Sequence, residues 1–406
     1  MPQESKPSIA LLVSQHPAIN HSVILREIHE LRKSLDLRTV SIRPSDRPLD
    51  QLSEEERNEA AITYYIKPQG IRGALAALTT ALFSLPVALL SGWFYALKLS
   101  GLHPKKAFRN TLYFLEAVML GQWMRQKRLK HLHVHYSSTI GLLAKHIFPI
   151  ELSISFHGPD EFNDPEGFWL RQKIEASDFV RAISYYARSR LMKCCASDQW
   201  EKIEVAYMAV DPGVFAPRPF RANPKQIEIL CVGRLAPVKA QDVLVEAVAE
   251  LVRQGRSVLL HLVGGGPDRA SLERHVARLG IGPHVAFHGF TAQERLNELY
   301  SQADIFALAS FAEGLPGVLM EAMAMEIPCV STWITGVPEL IRDGVDGILV
   351  PPADASALAS GLAKLIDDPE LRRRIGLAGR ERILDKFQLE KNGRFLASIF
   401  ERRARS

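Results

Sequence analysis

Short apolar runs alternate with helical patterns along this 406-residue chain, and after a proline-rich interruption the alternation starts again. In the first half, strands are expected near Ser8–Ser14, Leu37–Ile42, Leu132–His135, Leu152–Phe156 and Phe179–Ala182, with the first helix near Asn20–Ser34. The segment Ala209–Phe220 carries prolines and no periodicity, which predicts a linker. Beyond it, strands are expected at Ile227–Val232, Val258–Val263, Val285–His288, Asp304–Leu308, Pro328–Ser331 and Ile348–Val350, with a helix at Gln241–Arg253. Strand and helix in alternation specify a parallel sheet covered on both faces. The expectation is therefore two doubly wound α/β domains, residues 1–210 and 224–385, joined by a linker at 211–223. They would face a central cleft, with strand C-termini as the ligand position. A helix over 386–406 would cross back onto the first domain.

Cys194, Cys195, Cys231 and Cys329 form no CxxC pair, so they are read as reduced thiols in a cytosolic protein. The start, Met1-Pro-Gln-Glu-Ser-Lys followed by Ile9–Val13, lacks the long apolar stretch and cleavage site of an export signal, and no export is expected. Net charge is only +5, but between Ile62 and Lys145 eleven Lys/Arg stand against one acid, Glu116.

Within that basic stretch, Gly73–Leu97 runs twenty-five residues without a charge. A single membrane span is long enough, yet it would put strands of one sheet on opposite sides of the membrane, and Pro86 interrupts it. The expectation is an insertion near 71–130: a pair of helices packed on the first domain or a hairpin dipping into one leaflet. Lys67, Arg72, Lys98, Lys105, Lys106 and Arg109 surround it, and Trp93, Phe94, Tyr95 and Trp123 are suited to an interface. An anionic membrane surface is the expected partner, with the protein peripheral on the inner leaflet of the plasma membrane. No nucleic-acid module accompanies the charge.

The densest chemistry lies at Glu313-Gly-Leu-Pro-Gly-Val-Leu-Met-Glu321. Pro316 suits a first helical position, where its missing N–H costs nothing. A helix opening there offers free N–H groups and partial positive charge to a phosphate, while Glu313 and Glu321 accept hydrogen bonds from sugar hydroxyls. Gly233-Arg234-Leu235 follows a strand, and Lys239 comes five residues after Arg234. An arginine fork and a lysine point charge there can neutralise a diphosphate. No Asp-x-Asp occurs in the chain, so no metal and no further cofactor is expected beside the nucleotide sugar. His131, His133 and His135 share one face of a strand, where packing is expected over metal binding.

Gly233-Arg234-Leu235 with Lys239, Gly264-Gly-Gly-Pro267, Glu313 through Glu321, and Gly336-Val-Pro-Glu339 with Asp343-Gly344 and Gly347–Pro352 together resemble retaining glycosyltransferases of family 4, which have the GT-B fold of two Rossmann-like domains. Ser155-Phe-His157-Gly158-Pro-Asp160 and His131–His135 resemble a subgroup that builds bacterial exopolysaccharides, including colanic-acid-type transferases.

The resemblance implies a hexosyltransferase moving a sugar from a UDP- or GDP-sugar to a lipid-linked or growing polysaccharide. Glu313 would contact donor-sugar hydroxyls, Glu321 the ribose, and Arg234 with Lys239 the diphosphate. Gly233, Gly265, Gly314, Leu315 and Pro316 would complete the donor site. His157 would act near the anomeric carbon, with His16 and Asp160 also on the acceptor side. The alternatives are another GT-B enzyme, such as a nucleotide-sugar epimerase, or a non-catalytic nucleotide-sugar-binding subunit. Three positions depart from the family pattern: Glu326 replaces the glycine that closes the Glu-x7-Glu helix, Ala209 replaces a linker glycine, and Ser14–Asn20 lacks a two-glycine loop.

Overall fold

The structure, a computed structural model, describes residues 6–19 and 22–404, so the expected helix start and turn end at Asn20 lie outside the described residues. The chain divides into two compact units, Met1–Tyr207 with Gly393–Ser406, and Met208–Asn392. The first holds β1 (Ser8–Gln15), β2 (Asp36–Arg43), β3 (Tyr64–Tyr65), β4 (His131–His135), β5 (Glu151–Phe156), β6 (Phe179–Ala182) and β7 (Ile203–Val205). They form one parallel sheet in the order β3-β2-β1-β4-β5-β6-β7. The second holds β8 (Ile227–Val232), β9 (Val258–Val263), β10 (Val285–Gly289), β11 (Ile305–Leu308), β12 (Cys329–Thr332) and β13 (Ile348–Val350), parallel in the order β10-β9-β8-β11-β12-β13.

In β1 the period-2 geometry of a strand sends alternate side chains to two different cores. Ala10 and Leu12 pack beneath the helices Pro104–Gln126 and Ser138–Ile147. Ile9, Leu11 and Val13 pack on the opposite face with Ile24 and Ile28 of the helix Ser22–Leu31. That second face is closed by the last helix, Leu389–Ala404, through Leu396, Ala397, Ile399 and Phe400. A Cβ on Gly393 would fall 2.4 Å from Glu30, so glycine lets this helix approach its neighbour.

The proline-rich stretch is not a free linker. Phe215 is fully buried, Arg218 and Arg221 each lie 3.5 Å from the buried Asp304, and the buried Arg372 donates to the carbonyls of Arg221 and Ala222. Cations that satisfy loop carbonyls and a buried carboxylate tie the segment to the second unit.

The uncharged stretch becomes two helices, Gly70–Ser84 and Pro86–Lys98, separated at Leu85 with Pro86 at a helix start where its ring fits. Among the described residues no helix is long and apolar enough to cross a membrane.

Candidate active site

Strand order in each sheet reverses beside a central strand, and loops leaving the C-terminal ends of the two flanking strands there diverge, opening a crevice. In the second unit this point lies between β8 and β11. Gly233-Arg234-Leu235 leaves β8 and is clamped by main-chain bonds from Gly233 N–H to Val263 O and from Leu235 N–H to Gly265 O, both 2.9 Å. A Cβ at Gly264 would lie 2.0 Å from Gly233 O, and one at Gly266 2.1 Å from Leu235 O, so Gly264-Gly-Gly is the turn that permits the clamp. The exposed Arg234 side chain has no protein partner among the described residues.

The loop after β11 brings the first carboxylate to the same place. Lys239 Nζ donates to Glu313 Oε1 at 2.5 Å, and Ser310 Oγ donates to the same oxygen at 2.6 Å. Both partners converge on Oε1, so Oε2 of this buried side chain remains available for a ligand. The Glu313 N–H donates to Thr335 Oγ1 at 3.1 Å, and the Thr335 hydroxyl returns a bond to the Glu313 carbonyl. Phe311 N–H donates to Val238 O at 2.8 Å, fastening the Lys239 turn to the Glu313 loop.

Gly314, Leu315 and Pro316 are buried between Glu313 and the helix Gly317–Ala324. Pro316 caps this helix in extended conformation, one residue before the position expected for it, because its carbonyl already accepts the first turn from Leu319 N–H at 3.2 Å. Glu321 lies in the second turn, buried, and accepts from Tyr300 Oη at 2.9 Å. Burial and the neighbouring Glu321 hold the Tyr300 hydroxyl far above its usual range, so it stays a donor. At the helix end Glu326 adopts the left-handed conformation, φ 60°, that a glycine would take without strain.

In the first unit the corresponding reversal lies between β1 and β4. His16, just past β1, is buried 3.6 Å from Glu59, a carboxylate also bonded by His29 and Arg32. His157 follows β5; its Nε2 lies 2.7 Å from His135 Nδ1, and the Tyr136 ring lies 4.6 Å from its own. His135 Nε2 stands 3.9 Å from Glu27, which Arg181 holds with two bonds of 2.6 and 2.7 Å. Asp160 lies on the helix Pro159–Asn163; its side chain is outside what the structure describes.

His131 and His133 form a ladder with serines of β5. His131 Nδ1 faces Glu151 at 3.0 Å and its Nε2 faces Ser153 Oγ at 2.7 Å; His133 Nδ1 faces Ser153 Oγ at 2.7 Å and its Nε2 faces Ser155 Oγ at 2.9 Å. Among the described residues no group of three or more His, Cys, Asp or Glu is placed to hold a metal ion.

A family profile described as "Glycosyl transferases group 1" matches residues 215–382. N-acetyl-alpha-D-glucosaminyl L-malate synthase of Bacillus anthracis is 30% identical over 291 residues, covering 68% of this chain and 75% of that protein. The amylovoran biosynthesis glycosyltransferase AmsK of Erwinia amylovora is 28% identical over 98% of this chain and 100% of its own length. The first curated relatives, at 32, 35 and 36% identity, are matched over only 65, 58 and 45% of their own lengths. Among solved structures, Anabaena HepE in complex with UDP-glucose superposes with a TM-score of 0.71 at 18% identity, covering 97% of this chain and 99% of that one. This likeness shows the fold, GT-B.

Proposed function

The chain belongs to the group 1 glycosyl transferases, and on that premise we propose that it moves a hexose from a UDP- or GDP-sugar to a lipid-linked or growing polysaccharide, with retention of configuration and without a metal. The observation that carries this reading is the Lys239–Glu313 pair across the reversal point of the second sheet, beside the unpartnered Arg234 and the start of the Gly317–Ala324 helix.

Arg234, Lys239 and the helix N-terminus supply fixed positive charge where a leaving diphosphate would sit. Glu313 Oε2 accepts from donor-sugar hydroxyls and Glu321 from the ribose. In a front-face step the acceptor oxygen bonds to the anomeric carbon as the bond to the diphosphate breaks. The electron pair leaves with the diphosphate, whose oxygen takes the acceptor proton, so catalysis is mainly stabilisation of that departing charge. His157, aligned by His135 and Tyr136, serves the acceptor side with Asp160, while His16 braces the loop after β1. The exopolysaccharide setting is drawn from the amylovoran relative, and action at the inner leaflet is drawn from the basic stretch near 71–130 with its uncharged middle.

Incubation with nucleotide sugars and membrane lipid extract, followed by mass analysis, tests the reading. Glu313→Ala and Arg234→Ala are each expected to lower kcat roughly 10²–10³-fold with an unchanged melting profile. Near-normal transfer by either, or a rearranged sugar released without acceptor, would overturn it.

A further inference from the structure

The two helices Gly70–Ser84 and Pro86–Lys98 reverse the usual amphipathic arrangement of a surface helix. In the second, Leu89, Gly92 and Ala96 face inward; a Cβ on Gly92 would fall 2.4 Å from Ile147, so small residues let the helix lie close against its neighbour. The outward face carries Val87, Leu90 and Phe94 at helical spacing, all exposed. Phe83 at the end of the first helix is 89% exposed, Val87 across the break 80%, and Phe108 on the adjoining helix Pro104–Gln126 70%. Arg125 donates to Ser84 and Asn110 to the Ala96 carbonyl, so these large apolar side chains are ranged along one layer from end to end, an exposed face far from the polar surface water selects.

Charge decides what covers them. Arg72, Lys98, Lys105, Lys106 and Arg109 are exposed on these three helices, which carry no exposed carboxylate among the described residues; Asp164 and Glu166, exposed in the loop whose Trp169 donates to the Leu99 carbonyl, are outnumbered by them. Glu116, the only acid between Ile62 and Lys145, is mostly buried 3.7 Å from Lys67. A second copy meeting this face would bring like charges together, whereas an anionic bilayer offers counter-charge at the headgroups and an apolar layer beneath. We propose that the outer face of these helices inserts shallowly into an anionic lipid surface, with Phe83 and Val87 at the break and Phe94 and Phe108 as its deepest side chains. The proposal rests on the transfer reading only for its purpose, delivery of the active site to a lipid-borne acceptor.

The test is co-sedimentation of the full chain with phosphatidylglycerol/phosphatidylcholine vesicles and with phosphatidylcholine vesicles, in about 0.1 M salt and with no donor or acceptor present. Binding only to the anionic vesicles is expected. Phe83→Ser with Val87→Ser, both at exposed positions, is expected to release the protein, and Lys105→Gln with Lys106→Gln to lose about fivefold in affinity for each cation removed. Absence of binding to anionic vesicles, parent-like binding by both double variants, or a dimer in gel filtration that Phe83→Ser dissolves would overturn it. Because no sugar is present, a chain that binds vesicles but transfers nothing would sink the transfer reading and leave this one standing.

Discussion

At the scale of the residue, the His–Ser ladder shows how a buried strand can be polar at modest cost. With Glu151 accepting from His131 Nδ1–H, Ser153 donates to His131 Nε2 and accepts from His133 Nδ1–H, and Ser155 donates to His133 Nε2. Each ring is neutral in this arrangement, and each nitrogen has one role. Burial, followed by the positive charge of Arg181, pushes the His133 pKa well below 6.5. Below about pH 6.5 the unfolded chain therefore binds a proton that the folded chain refuses, so stability falls as pH falls through that window. His133→Gln is expected to reduce the slope of unfolding free energy between about pH 5 and 6.5 by up to ~1.4 kcal/mol per pH unit, read from denaturant titrations. Glu59 acts in a separate window. Burial alone would raise its pKa, but the nearby His16 and bonds from His29 and Arg32 outweigh that and hold it far below 4.5, so its contribution fades only under more acid conditions.

At the scale of the element, the helix carrying Glu321 ends on a strained residue. Glu326 holds φ 60° because Gly376 of the helix Pro369–Lys386 packs on its carbonyl, where a Cβ would stand 2.2 Å away, and because Arg380 donates to the Ala324 carbonyl. Glu326→Gly is expected to stabilise the protein by about 0.5–1 kcal/mol, while Glu326→Ala should gain nothing. Equal gains from the two in chemical denaturation would assign the effect to charge instead of backbone. Legibility followed the same physics. Strands such as β1 and β11 were readable because burial on both faces makes Ile9–Val13 and Ile305–Leu308 continuous apolar runs. The edge strands β3 and β7, two and three residues long, carry too little pattern to be seen. Around the candidate site, Glu313, Lys239 and Arg234 were legible from residue type and spacing. Ser310, Thr335 and Tyr300 were not, since their roles come from loops that meet only on folding; the nearness of Thr335 to Gly336-Val-Pro-Glu339 was the one available signal. The Glu27–Arg181 pair, 154 positions apart, left none.

At the scale of the whole molecule, the last helix belongs to the core of the unit formed by the start of the chain. Phe400 is buried edge-on against His133 and Phe179, so Phe400→Ala should cost about 3–5 kcal/mol. Hydrogen exchange would place that loss in Ser8–Gln15 and Ser22–Leu31, and a thermal shift with nucleotide sugar should survive it. Protection lost equally across β8–β13 would contradict the assignment. The path of the chain also imposes an order in time. Residues 393–404 leave the ribosome only after all of Met208–Asn392 has been made, about 10–40 s later at ordinary synthesis rates. Until then one face of the first sheet lacks its cover, so the unit that emerges first is the last to be finished, and a nascent chain must be kept from aggregating through that open face.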